Sequence, residues 1–253
     1  VLVGVNGVFG QRIAEMVRRN GGNCTEVSVP FGEPLSSEAM AEAAENCKPR
    51  IIAVVHAETS TGVLQPLEPI REICDRFDAL FLVDTVTSLA GHPVEVDSQK
   101  IDICYSGTQK CLSCPPGLAP FTISAAAQDK VRSRSTKCKS WYLDLNLIGS
   151  YWGDERVYHH TAPISMNYAL HEALSIIVEE GLEQRWERHE RNHKALVAGI
   201  EAMGLGMHVE ADYRLWSLNT LRIPEGVDDA KVRSQLLNEF QLEIGGGLGD
   251  LKG

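Results

Sequence analysis

The sequence predicts an α/β layer fold with a largely parallel sheet, and three observations carry that prediction. Short apolar, strand-like runs alternate with helical stretches through residue 123. Two of these runs lead into polar residues, Asp84 after "ALFLV" and Lys110 after Ile101–Ser106, so both residues fall at the carboxyl edge of the sheet. Beyond about residue 164 the pattern becomes almost wholly helical.

In chain order, "VLVGV" reads as a strand, followed by a glycine turn and a helix beginning near Gln11. Cys24–Val29 has strand character, and Ser36–Cys47 is a helix capped by Ser36. Ile51–His56 is a short apolar strand. Pro69 suits the first turn of a helix that runs to about Phe77. Ala79–Val83, Ile101–Ser106 and Leu118–Ile123 are the next strands. The basic stretch "DKVRSRSTKCK" (129–139) reads as an exposed helix end. The helical region after 164 has a break near Gly181. Leu215–Ile223 alternates as a strand does, and Asp228–Phe240 reads as an amphipathic helix. The expected organisation is a large domain over 1–180 and a smaller α+β domain over 181–253.

Composition excludes some functions. The chain has 253 residues, 43% hydrophobic and 23% charged, which suits a globular protein with a sizeable core. A net charge of −10 argues against nucleic-acid binding, which needs clustered Lys and Arg. No apolar run approaches the ~20 residues of a membrane span. Seven scattered cysteines read as reduced thiols of an intracellular protein. The opening on "VLVGV" without Met and the close on "EIGGGLGDLKG" predict a stretch of a longer protein.

Cys111-x-x-Cys114 lacks the second pair a zinc site needs, and Pro115-Pro116 disfavours the helix a redox pair would open. Two small residues in a turn is the preferred reading. Gly4-x-x-Gly7-x-x-Gly10 has the wrong spacing for a dinucleotide fingerprint. It does place backbone N–H groups and Phe9 at the sheet edge. Asp84 and Lys110, delivered to one edge by successive strands, match the needs of pyridoxal phosphate. That cofactor takes a lysine for its Schiff base and an acid to keep its ring nitrogen protonated. A surface lysine beside a capping aspartate is the alternative these two residues leave open.

Six stretches go further: "NGVFGQR" (6–12), "HAETSTGVLQPL" (56–67), "LFLVDTVTSLAG" (80–91), "YSGTQKCLSCPPG" (105–117), "YHHTAP" (158–163) and "EIGGGLG" (243–249). Together, and in this order, they resemble the class V, fold-type I pyridoxal-phosphate aminotransferases, in particular the alanine–glyoxylate and serine–pyruvate branch. The resemblance implies a mixed, mostly parallel sheet sandwiched by helices, a smaller C-terminal domain and pyridoxal 5'-phosphate as cofactor. It implies transamination between a small amino acid, alanine or serine, and a 2-oxo acid such as glyoxylate or pyruvate. Lys110 matches the Schiff-base lysine and Asp84 the partner of the ring nitrogen. Phe9 matches the residue stacked on the ring, where this branch often carries Trp. Thr59 matches a hydroxyl near the ring's phenolic oxygen, and Gln109 a contact to the phosphate region. Tyr158 and Thr161 match a pair that reaches the partner subunit's phosphate, which implies a homodimer with shared sites. His159 and His160 between them read as structural. The upstream phosphate-binding segment and the downstream arginine that clamps the substrate carboxylate in this family lie outside the 253 residues.

Three alternatives stay open on the sequence: a cysteine desulfurase of the same class, a non-catalytic relative that keeps the fold, and, more distantly, a nicotinamide-dependent oxidoreductase. The expected compartment is the cytoplasm, with peroxisome or mitochondrion as the alternative.

Overall fold

The computed structural model describes residues 1–252. Its strands are β1 (Leu2–Val5), β2 (Thr25–Ser28), β3 (Ile51–Val55), β4 (Ala57–Glu58), β5 (Val63–Leu64), β6 (Leu80–Asp84), β7 (Ile103–Tyr105) and β8 (Phe121–Ile123). Its helices are α1 (Val8–Arg19), α2 (Ser37–Cys47), α3 (Glu68–Phe77), α4 (Ala125–Arg132), α5 (Leu145–Trp152), α6 (Ile164–Glu180), α7 (Leu182–Ala202) and α8 (Asp229–Phe240). Six strands form one sheet in the order β2-β1-β3-β6-β7-β8, while β4 and β5 make a separate antiparallel hairpin. Every pair in the main sheet is parallel except β7–β8. The sheet is mixed and mostly parallel.

Alternation along the strands builds two cores, one on each face. Leu2, Ile52, Val54, Phe81 and Val83 pack with Met40 and Ala44 of α2 and Ile70 and Ile73 of α3. Val3, Val5, Ala53 and Val55 pack with Ile13 and Ala14 of α1 on the other face. A side-chain period of two therefore serves helices on both sides, which is why these strands read as continuous apolar runs. Phe81, fully buried, is the largest side chain in this interior.

Local signals set the helix boundaries. Ser36 accepts the amide of Ala39 at the start of α2, and Asp228 accepts that of Lys231 at the start of α8. Pro69 occupies the first turn of α3. Gly181, at φ 84°, separates α6 from α7 in a left-handed conformation open to glycine.

Three expectations need correction. Helix α1 begins at Val8 rather than Gln11, because its first amides find side-chain acceptors described below. Strand β8 is shorter than Leu118–Ile123, since Pro120 has no N–H to donate and β8 runs antiparallel. Leu215–Ile223 is not a strand. Its backbone makes scattered bonds instead, Leu215 N–H to Gly62 O and Thr220 O from His208 N–H, with isolated bridges at Arg214 and Leu221. Among the described residues, 182–252 contain helices, 3-10 turns and isolated bridges but no strand.

Candidate active site

The carboxyl edge of the sheet gathers the candidate residues. Strands β6 and β7 are parallel neighbours with Asp84 in register with Tyr105. Asp84 ends β6, and Lys110 lies in the turn that follows β7, so both emerge at the same edge. Asp84 is buried. Its Oδ1 accepts the Val86 amide at 2.8 Å, and its Oδ2 accepts the Tyr105 phenol at 2.6 Å. Its pKa lies above the ordinary carboxylate value: burial, and to a lesser degree Glu58, push it up more than the Tyr105 and Val86 bonds and Arg12 pull it down.

Lys110 is half-buried and sits in a braced turn. Its carbonyl accepts the Ser113 amide at 2.9 Å, and the Thr108 carbonyl accepts that of Cys114 at 3.1 Å. The Thr108 hydroxyl donates to Pro115 O at 2.7 Å. Cys111 Sγ donates to Thr87 O at 3.4 Å. From α7, the buried Arg185 donates to Cys111 O at 2.6 Å while pairing with Glu180 Oε2 at 2.8 Å. Lys110, Thr59, Thr87 and Arg185 line one cleft of about 380 Å³. The hydroxyls of Thr59 and Thr87 are hydrogen-bonded to each other.

Phe9 stands at the start of α1, with the Arg12 guanidinium 4.9 Å above its ring. What fixes it there is Glu58, a fully buried glutamate on β4. Its Oε2 accepts the amides of Phe9 at 3.1 Å and Gly10 at 3.3 Å. Its Oε1 accepts the Ser60 amide at 3.0 Å and hydroxyl at 2.6 Å. Ser60 Oγ in turn accepts the Val8 amide at 2.9 Å. A carboxylate at a helix N-terminus satisfies orphan amides and the helix dipole together. The N–H groups of the glycine turn are therefore occupied by the chain itself and are not an open anion cradle. Gly7 permits this approach, because a Cβ there would overlap Glu58 Cγ.

The remaining expected residues do not line the Lys110 cleft. Gln109 is exposed. Tyr158 and Thr161 are exposed, hydroxyls 3.2 Å apart, outside the Lys110 cleft. His159 between them is buried, stacked on Trp141 at 4.1 Å between ring centroids. Glu58, Tyr105, Thr87 and Arg185 join the site without having been singled out in the sequence.

The chain is similar to known proteins over most of its length. The family model described as aminotransferase class-V matches residues 10–247. An alanine–glyoxylate aminotransferase of Callithrix jacchus is 40% identical over the whole chain, which covers 62% of that protein. The (S)-ureidoglycine–glyoxylate transaminase of Bacillus subtilis is 38% identical over the whole chain and 65% of its own length. Among solved structures, an alanine–glyoxylate aminotransferase from Nostoc sp. superposes with a TM-score of 0.96 at 52% identity, covering 100% of this chain and 67% of that one. The fold is the α/β fold of the aminotransferases on which the chain superposes. The chain belongs to the class V aminotransferases. It spans less than two thirds of the length of the primate relative.

The residues present fit pyridoxal phosphate. Each Asp84 oxygen has taken one donor and retains acceptor capacity for another. Lys110 makes no ion pair among the described residues. Asn6, at the end of β1 on the same edge, is fully buried with both side-chain polar atoms unpartnered.

Proposed function

We propose that in the full-length protein this chain supplies the lysine–aspartate core of a transaminase that moves an amino group from alanine or serine to glyoxylate or pyruvate. The observation that carries the reading is the delivery of Asp84 and Lys110 to one sheet edge by adjacent parallel strands. Glyoxylate is the favoured acceptor, because the two similar enzymes named for different donors share it. When bound, the cofactor supplies an electron sink that acidifies the substrate Cα–H. Lys110 Nζ anchors the cofactor and carries the proton to and from that carbon. Asp84 would accept the ring N–H, Phe9 would cover one ring face, and Thr59 would serve the phenolic oxygen. Gln109 contributes near the phosphate.

With the α1 amides consumed by Glu58 and Ser60, the phosphate must find its donors elsewhere. Tyr158 and Thr161 are proposed as two of them, given across a homodimer interface. Their exposure and separation from their own chain's cleft support a contact made in trans. Residues 181–253 are proposed as the start of a smaller domain that closes on the Lys110 turn through Arg185. No described helix is long and apolar enough to cross a membrane, and the cytoplasm is the proposed compartment.

The test is amino transfer by the full-length protein with a visible-range absorbance band that disappears in Lys110→Ala. Transfer without that band, or a band that survives the substitution, contradicts the reading. Persulfide formation from cysteine in place of transfer would instead support the desulfurase alternative.

A further inference from the structure

The contact between Tyr105 and Asp84 assigns a role that the family resemblance does not. Register pairs the two residues across β6 and β7, which brings the phenol beside the carboxylate. The Tyr105 hydroxyl donates to Asp84 Oδ2 at 2.6 Å, and this is its one bond within the described residues. The surroundings of Asp84 are divided. Burial and the Glu58 carboxylate on β4 favour its neutral form. The Val86 amide and Arg12 of α1 favour its ionised form, as does Tyr105. His56 at the end of β3 contributes its backbone N–H to the Asp84 carbonyl, while its ring faces Ser88 Oγ at 3.0 Å. Lys110 stands at the same edge. Among the groups that favour the carboxylate, Tyr105 is the side chain in direct hydrogen-bond contact with it.

We propose that Tyr105 is a positioning residue: by donating to Asp84 Oδ2 it holds Asp84 as the carboxylate, so that a proton shared with the cofactor's ring nitrogen rests on the nitrogen. An ionised carboxylate only accepts, and a phenol that keeps its proton can serve it only as a donor. Burial and the neighbouring Asp84 raise the Tyr105 pKa well above that of an ordinary phenol, so the donor persists across the working pH range. Two bases, Asp84 and the ring nitrogen, compete for one proton. Stabilising the carboxylate lowers its share of that proton and raises the nitrogen's. The reacting ring stays protonated, which is the state that withdraws electrons. Tyr105's role at the cofactor depends on the proposed pyridoxal-phosphate reading, but its hold on Asp84 does not.

The experiment uses the full-length protein, wild type and Tyr105→Phe, with circular dichroism to establish folding. In cofactor-free protein the carboxyl 13C resonance of Asp84 is titrated. Loss of one hydrogen bond to a charged group is expected to move the midpoint up by about one to two pH units. With ring-15N pyridoxal phosphate bound, the nitrogen resonance in Tyr105→Phe is expected to move from the pyridinium position toward the neutral one. Replacement of Tyr105 by 3-fluorotyrosine, a stronger donor of the same shape, is expected to move the Asp84 midpoint down. That variant decides the matter even if Tyr105→Phe does not fold. An Asp84 midpoint that neither variant moves overturns the proposal, and so does a shifted midpoint with the ring nitrogen still fully pyridinium in Tyr105→Phe. A full-length protein that takes up no pyridoxal phosphate overturns the functional reading, and the cofactor-free titration tells the two failures apart.

Discussion

Removing the Glu58 carboxylate isolates what the buried glutamate does for the candidate site. In Glu58→Ala the amides of Gly10 and Ser60 lose their acceptor in a buried setting, and that of Phe9 in a half-buried one. The Ser60 hydroxyl loses its acceptor too, though it can rotate. An orphaned buried amide costs about 1–3 kcal/mol, so three cost about 3–9 kcal/mol. Against this, the carboxylate's own burial penalty, several kcal/mol, is relieved. The expected net loss is about 1–5 kcal/mol, against a typical stability of about 5–15 kcal/mol. Glu58→Gln keeps one oxygen and is expected to lose about half as much. Urea unfolding of the full-length protein, followed by circular dichroism, reads the difference as a lower midpoint at constant slope. Because Phe9 leads α1, the same variant is expected to weaken cofactor retention. A loss below about 1 kcal/mol for Glu58→Ala would refute the reasoning and show that the α1 amides find other partners.

Further expectations rest on other residues. Asp84→Ala should cut transamination heavily while still allowing cofactor binding, measured by absorbance and initial rate. Cys111→Ser combined with Cys114→Ser should change the rate little, because Cys111 makes only a weak bond to Thr87 O. Burial depresses His56 to about 4 and His92 to about 3, below the ordinary 6.5. His92 Nε2 also accepts the Trp216 amide at 2.9 Å. Their stabilising contribution is therefore complete above pH 6.5 and is lost as pH falls from there toward 4 and 3. Each should add a slope of about 1.4 kcal/mol per pH unit within that window. Urea midpoints that stay flat between pH 6.5 and 4 would contradict this. Mixing Tyr158→Phe/Thr161→Ala protein with Lys110→Ala protein should restore activity on subunit exchange, since one mixed-dimer site carries both defects and the other neither. A demonstrated mixed dimer without recovery would place Tyr158 and Thr161 in their own chain's site or in none.

The elements most legible in the sequence are those with local chemical boundaries. Ser36, Pro69, Gly181 and Asp228 mark helix ends where backbone groups need a cap or a left-handed turn, and each helix begins or ends within a residue or two of them. Asp84 and Lys110 were visible because each punctuates an apolar run that could only be a buried strand. The reading of Leu215–Ile223 failed because alternation there has a different cause. Leu215 is buried by tertiary packing, Trp216 stacks on His92 at 3.9 Å, and Asn219 bonds to His193 at 2.6 Å, while pairing stops at isolated bridges, Arg214 to Val63 of β5 and Leu221 to Met207. Glu58 is not legible in the sequence because a glutamate reads as a surface residue unless its partners are known, and besides nearby Ser60 they lie almost fifty positions earlier, at Phe9 and Gly10. Tyr105 escaped notice because its contact exists only once β6 and β7 are in register.

The central claim is that Lys110 is the residue that anchors the cofactor. Borohydride reduction of the full-length protein loaded with pyridoxal phosphate, followed by peptide mass spectrometry, tests it directly, because reduction makes the lysine–cofactor link permanent. A phosphopyridoxyl mass is expected on the peptide containing Lys110, and is expected to be absent from that peptide in Lys110→Ala. Stoichiometric label on a different lysine, or no label in protein shown to bind the cofactor, would contradict it.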